Sequence, residues 1–390
     1  MKNRIFLKYI LLIISVVLTI LFVFSNSATA STVEVLKGND TIKDSNNNFI
    51  YYKSGVVSKS TGTVNLVKKD KKTGVKTILT KVDTKPFFHQ DNYIYYTTKM
   101  GIYRIKTDGT NKKQLVPLAS EDSKLYKLGL YGNYLYYCDY NYTNDSNKMV
   151  IARIKLNGVD NQIIQKLSDY YTYEIPVLAN NMIYYTTNNK TLTSITLDGK
   201  TTKNVIKSAH RITEIKENSI GLYFIYQKES TSNPIIRKID SSGIITNLAT
   251  IEKDLNTYIY SIKLYCLEDD YIYYTLGTKI YQMTTDGKEH QLLYDAGNLN
   301  KYSVSIAEIC IKGNWMIIKT DDDGGFSTYS VKKDGSYQIY LGSMCYSNSF
   351  DILGNTIYYR VVTIPGDDED YTYNDENIYR KLTLPLKEYK

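Results

Sequence analysis

Two acidic stretches hold the residues best suited to chemistry. Asp321-Asp322-Asp323 runs into Gly324-Gly325, and Gly366 to Glu376 carries Asp367, Asp368, Glu369, Asp370, Asp375 and Glu376. Carboxylates bunched on a loop can hold Ca²⁺, which takes roughly six to eight oxygen ligands at roughly 2.3–2.6 Å. Asp321, Asp322, Asp323, Asp367 and Asp368 are the candidate calcium ligands, although their spacing fits no EF-hand. The plainer reading is a pair of solvated hairpin tips. A second set is aromatic. Tyr140, Tyr142, Tyr170, Tyr171 and Tyr173 read as loop tyrosines able to stack on sugar rings or peptide side chains, or else as ordinary aromatic surface.

Other chemistry is thin. The chain has 3 histidines, and His89, His210 and His290 show no ligand spacing. There is no HExxH, no GxSxG and no phosphate-cradling glycine loop, so no catalytic residue is assigned. Cys138, Cys266, Cys310 and Cys345 could form two disulfides, but no CxxC occurs. Each sits in or beside an apolar run, as a free buried thiol does. Calcium is the one cofactor under consideration.

The elements that must position these residues repeat along the chain. A tyrosine-rich cluster recurs at Phe49-Ile50-Tyr51-Tyr52, Tyr93-Ile94-Tyr95-Tyr96, Tyr134-Leu135-Tyr136-Tyr137 and Met182-Ile183-Tyr184-Tyr185. It continues at Gly221-Leu222-Tyr223-Phe224, Tyr271-Ile272-Tyr273-Tyr274, Trp315-Met316-Ile317-Ile318 and Thr356-Ile357-Tyr358-Tyr359. Tyr52 and Tyr359, which end the first and last clusters, lie seven intervals apart, about 44 residues each. Each cluster is followed by a second apolar run, a tight turn and a third run. Asp108-Gly109, Asn157-Gly158, Asp198-Gly199, Asp286-Gly287 and Asp334-Gly335 mark turns of the type I′ kind, which hairpins favour. With a strand before each cluster, every unit supplies four short antiparallel strands.

Units of this size and strand count mean propeller blades. No segment sustains the 3.6-residue apolar period of a helix. The cluster strands are apolar on both faces, as when each sheet is covered on both sides. The expected fold is all-β: a single β-propeller of four-stranded antiparallel blades. Eight blades fit the count, or seven if the unit around Trp315 is a distorted insertion. The last unit lacks a fourth strand, and Ser31-Thr32-Val33-Glu34-Val35-Leu36 offers an alternating strand to close the ring.

The start of the chain sets its address. Lys2, Arg4 and Lys8 precede an apolar stretch from Tyr9 to Phe24, and Ala28-Thr29-Ala30 follows. This is the pattern of a secretory signal peptide over residues 1–30, cut between Ala30 and Ser31. An uncleaved membrane anchor is the rival. Either way residues 31–390, the propeller, lie outside the cytoplasm. The net charge of +8 falls to +5 beyond residue 30 and is spread out. That argues against nucleic acid, which needs clustered cations. The densest run, Lys68 to Lys76, reads as a solvated hairpin or a contact with an anionic wall polymer.

Tyr95-Tyr96-Thr97-Thr98, then Ile102-Tyr103-Arg104-Ile105 and Asp108-Gly109, resembles the YWTD-type repeat of low-density-lipoprotein-receptor-related propellers. It is more similar still to the bacterial, secreted relatives of that domain. The resemblance spans the whole chain beyond residue 30. Tyr stands in place of the motif's Trp at Tyr96, Tyr137, Tyr185 and Tyr274, and its Asp is kept only at Asp139. The units also outnumber those usual in that family. The expected function is a monomeric, non-catalytic recognition module that binds an extracellular protein, peptide or glycan. The alternative is a hydrolase or lyase on cell-wall polysaccharide, which inward carboxylates about 5–10 Å apart would favour. A structural spacer without ligand is the third reading.

Overall fold

A computed structural model of the chain describes residues 41–43, 48–54, 64–83, 87–120, 123–143, 146–167, 175–207, 209–218, 220–252, 262–265, 270–299, 303–322, 325–343, 350–353, 356–361 and 378–383. The signal segment, the Ala30/Ser31 cut and the strand Ser31–Leu36 lie outside them. The described elements form eight antiparallel sheets, each built from strands consecutive in the chain.

The first sheet is β1 to β4 (Thr41–Lys43, Phe49–Ser54, Val64–Asp70, Lys76–Val82). The second is β5 to β8 (Phe88–Gln90, Tyr93–Thr98, Gly101–Lys106, Lys113–Pro117). The third is β9 to β12 (Ser123–Tyr131, Tyr134–Thr143, Ser146–Lys155, Gln162–Leu167). The fourth is β13 to β16 (Val177–Ala179, Met182–Thr187, Thr191–Thr196, Thr202–Ile206). The fifth is β17 to β20 (Arg211–Glu217, Leu222–Gln227, Ile235–Ile239, Ile245–Thr250). The sixth is β21 to β24 (Ile262–Tyr265, Tyr271–Leu276, Lys279–Thr284, His290–Asp295). The seventh is β25 to β28 (Ser303–Lys312, Trp315–Asp322, Gly325–Lys332, Gln338–Ser343). The eighth has three described strands, β29 to β31 (Phe350–Leu353, Thr356–Val361, Ile378–Thr383). The unit around Trp315 forms a four-stranded sheet in chain order, with register shifts between β25 and β26. Among the described residues there is no α-helix, and a single 3-10 turn covers Ala296–Asn298.

Tyrosine-rich strands form because their neighbours cover both faces. Each main core lies between successive sheets. Phe88, Tyr95 and Ile102 of the second sheet pack with Leu125, Leu135 and Tyr137 of the third. Ile225 and Ile236 of the fifth pack with Leu264, Ile272 and Tyr274 of the sixth. Tyr96, Tyr136, Tyr223 and Tyr273 are among the largest fully buried side chains. Each such ring removes roughly 150–250 Å² from water, about 4–6 kcal/mol before the entropy of ordering is subtracted.

Polar ties link the sheets as well. Arg104 of β7 donates from Nη1 to the Leu156 carbonyl of the third sheet at 2.6 Å and lies over the Tyr93 ring, 4.6 Å from its centroid. Lys113 reaches the Asn157 carbonyl at 2.7 Å. The first strands also touch in succession, β9 with β13, β13 with β17 and β17 with β21.

The Asp-Gly turns differ from expectation. Gly109, Gly158, Gly199, Gly287 and Gly335 have φ between 71° and 88°, but the residues before them are not in the left-handed region. Gly109 N donates to Lys106 O, and Lys106 N to Thr110 O. This is a three-residue loop, a type I turn closed by a left-handed glycine, rather than type I′. The Asp side chain explains it: Asp108 Oδ1 accepts from Thr110 N at 2.8 Å, which holds Asp108 itself right-handed. Paired positive φ occurs instead at Asn180-Asn181, between β13 and β14, and at Asn188-Asn189, between β14 and β15.

Candidate functional site

Three consecutive sheets bring charged side chains together along their first strands. In β17 the pairing with β18 skips between Thr213 and Lys216, a bulge in which Glu214 takes φ 56°. A left-handed glutamate costs about 1 kcal/mol or more, and such strain gathers at working sites. The bulge aims Glu214 across to the next sheet. Its Oε2 accepts from the Leu264 backbone N–H of β21 at 3.1 Å and lies 3.8 Å from Lys216 Nζ.

The sixth sheet contributes Lys263 and Tyr265. Lys263 Nζ donates to the Ala307 carbonyl of β25 at 2.9 Å. Tyr265 is half-buried, yet its hydroxyl is enclosed without a hydrogen-bond partner, as is that of Thr275. Burial pushes the Tyr265 phenol far above its usual range. The negative charges of Glu214 and Glu308 push it further, and the Thr275 hydroxyl opposes them. Two carboxylates, from the fifth and seventh sheets, are therefore within electrostatic reach of one phenol of the sixth.

In the seventh sheet Glu308 of β25 is paired in register with Lys319 of β26. Lys319 is 2% exposed, the one fully enclosed lysine among the described residues. Burial lowers its amine's pKa, Glu308 and Asp321 act to raise it, and Lys263 lowers it further. A buried amine, a buried phenol and two carboxylates can give and accept protons, and perturbed groups of this kind mark candidate sites.

Asp321 alone of the candidate calcium ligands has a described side chain, half-buried two residues from Lys319. Asp322 closes β26 opposite Gly325, with its side chain outside the described set. Asp323, Asp367 and Asp368 lie outside it too, as do Tyr170, Tyr171 and Tyr173. Tyr140 and Tyr142 are not loop residues. They continue β10, whose hairpin with β11 runs to Thr143 and Ser146, and the Tyr140 ring packs beside Cys138 and Met149. The long hairpin buries a residue that the sequence placed on a loop. Among the described residues no three His, Cys, Asp or Glu side chains gather to hold a metal.

Cys138 is buried. Cys310 lies in β25 without a described side chain, and Cys266 and Cys345 are outside the described residues. The histidines are scattered. His89 stacks on Tyr51 at 5.5 Å, and His290 shares a 2.6 Å hydrogen bond with the Tyr274 hydroxyl.

No family model matches the chain, and no curated protein matches it in sequence. Solved structures do match in shape. An oligogalacturonate lyase from Vibrio parahaemolyticus superposes with a TM-score of 0.51 at 9% identity, over 77% of this chain and 91% of that one. A second oligogalacturonate lyase, solved with manganese, gives 0.45 at 11% identity, over 76% and 96%. A puromycin hydrolase gives 0.46 at 10%, over 82% and 55%, so this chain spans about half of it. The first likeness shows the fold, a β-propeller; at this identity it shows nothing of activity.

Proposed function

We propose that the chain is an exported β-propeller of eight blades that acts on cell-wall polysaccharide as a hydrolase or lyase, through the groups around Tyr265. One observation carries this reading: Glu214 reaches across to the Leu264 N–H on the strand of Tyr265, and Glu308 on the next sheet is paired with the enclosed Lys319, so that both carboxylates act electrostatically on the Tyr265 phenol. A stable fold gains little from burying so many unlike charges, since replacing them with apolar groups is often neutral or stabilising. Retention of acid and base groups at adjoining first strands fits proton transfer. The solved proteins of similar fold include lyases and a hydrolase.

Eight blades are the reading that eight sheets support. Two observations support closure: β1 approaches β29, and β31 has no fourth strand beside it among the described residues. The basic and apolar start of the sequence supports export from the cytoplasm, and the mild, spread charge supports a partner other than nucleic acid.

A recognition module for a protein, peptide or glycan is the second reading. It is favoured by ties the cluster already makes, from Glu214 to the Leu264 N–H and from Lys263 to the Ala307 carbonyl. Incubating the purified protein with cell-wall glycans and polyuronates separates the two. The enzyme reading expects new reducing ends or an unsaturated uronate product, lost in Glu308→Gln. Binding of a polymer without cleavage would establish recognition instead.

A further inference from the structure

Away from that cluster, the junction of the second and third sheets gathers oxygen atoms that lack donors. Asp139 and Asn141 lie two apart on β10 and so share one face of the strand. Oδ1 of Asp139 and Oδ1 of Asn141 are both closed to solvent, and neither has a hydrogen-bond partner among the described residues. Around them stand two hydroxyls. Ser123 of β9, paired in register with Asn141, is buried and hydrogen-bonds the Asp139 carboxylate. Ser120 shares a 3.1 Å hydrogen bond with Ser123 and accepts from Asn141 Nδ2 at 3.3 Å.

No lysine or arginine among the described residues compensates Asp139. Burial alone raises its pKa, and only the Ser123 hydroxyl opposes that. A carboxylate withdrawn from water without a counter-charge is costly, and a native fold resolves it with a partner. An acceptor-only carboxamide oxygen on the same strand face adds to the demand for positive charge. The wider surroundings are apolar or aromatic, with Tyr137 and Leu125 on the adjoining core.

We propose that Asp139, Asn141, Ser123 and Ser120 form a cation site for a hard metal ion of the calcium or sodium class. Oxygen donors of these kinds suit such ions. One carboxylate, one carboxamide and two hydroxyls supply four donors, and water would complete the shell. The site differs from the acidic stretches at Asp321 and Asp367 and does not depend on the enzyme reading. The ion would fasten the long β10 strand to β9 and to the link that joins the second and third sheets.

The test uses the whole purified chain, freed of metal with a chelator and then titrated with Ca²⁺ alone or Na⁺ alone. Calorimetry and thermal melting are read on the parent, Asp139→Asn and Asn141→Asp. The site expects one saturable binding event in the parent that also raises its melting temperature. Binding is lost in Asp139→Asn and is about tenfold tighter for Ca²⁺ in Asn141→Asp, because ligand charge sets affinity in such sites. Two outcomes overturn the proposal. One is no saturable binding of either ion to the parent. The other is Asn141→Asp melting below the parent with no recovery in Ca²⁺, which would place a water or the Asn141 amide nitrogen against Asp139.

Discussion

Arg153 of the third sheet donates from Nη1 to the Leu197 carbonyl of the fourth at 2.9 Å, while Nε and Nη2 both hold Gln162 Oε1 of its own sheet. The same guanidinium lies 4.5 Å from the centroid of Tyr134. One side chain thereby fixes a fourth strand, a tyrosine ring and the neighbouring blade.

Arg153→Ala should cost about 2 kcal/mol, through the lost charged hydrogen bonds and the ring contact. Arg153→Lys should recover only part of this, because an ammonium cannot make the forked contacts together. Denaturant midpoints of the two variants check the order, and equal midpoints would show that charge alone matters.

Gly287 has φ +77°, and a Cβ there would lie 2.9 Å from the Leu248 carbonyl oxygen of the preceding sheet. Gly74 occupies a similar turn at φ +74° with nothing within 4 Å. Gly287→Ala should therefore cost about 2–4 kcal/mol against about 1 kcal/mol for Gly74→Ala, the difference being backbone collision. Thermal melting of both variants measures that difference.

Stability should fall at both ends of the pH scale. The hydroxyls of Thr110, Thr196, Ser242 and Ser336 and the Lys288 ammonium hold the exposed turn carboxylates Asp108, Asp198, Asp240, Asp334 and Asp286 below their usual range. Lowered folded-state values stabilise above about pH 4, and that contribution is lost as pH falls through them. At the alkaline end, burial pushes Tyr95 and Tyr96 up to about 12. The unfolded phenols ionise near pH 10 and the folded ones do not, so stability drops from about pH 10 to about pH 12. Melting temperatures from pH 2 to 12 should trace both limbs, and Asp286→Asn should soften the acid one.

Much of this fold is legible in the residues themselves. Every tyrosine-rich cluster becomes the second strand of a sheet, because a run apolar on both faces suits only a doubly covered position. The turn type was not legible, since Asp108 caps its own turn through Thr110 and so has no need of positive φ. Tyr140 was misplaced because nothing local shows that the β10–β11 hairpin outruns its counterparts in the neighbouring sheets. The candidate site was hidden for a similar reason. Glu214, Tyr265 and Glu308 stand about one repeat apart with no motif joining them, and only strand register brings them together. One signal was present: Lys319 interrupts the apolar run Trp315-Met316-Ile317-Ile318, a charge in a strand enclosed on both faces.

Tyr265→Phe gives the most direct measurement, because it removes one enclosed oxygen that meets no hydrogen-bond geometry among the described residues. Deleting an unsatisfied buried hydroxyl should leave the melting temperature unchanged or higher. If Tyr265 serves proton transfer, polysaccharide cleavage by the variant should fall about a hundredfold or more at equal folded fraction. Undiminished cleavage by Tyr265→Phe, or a parent protein that cleaves nothing, would contradict the account.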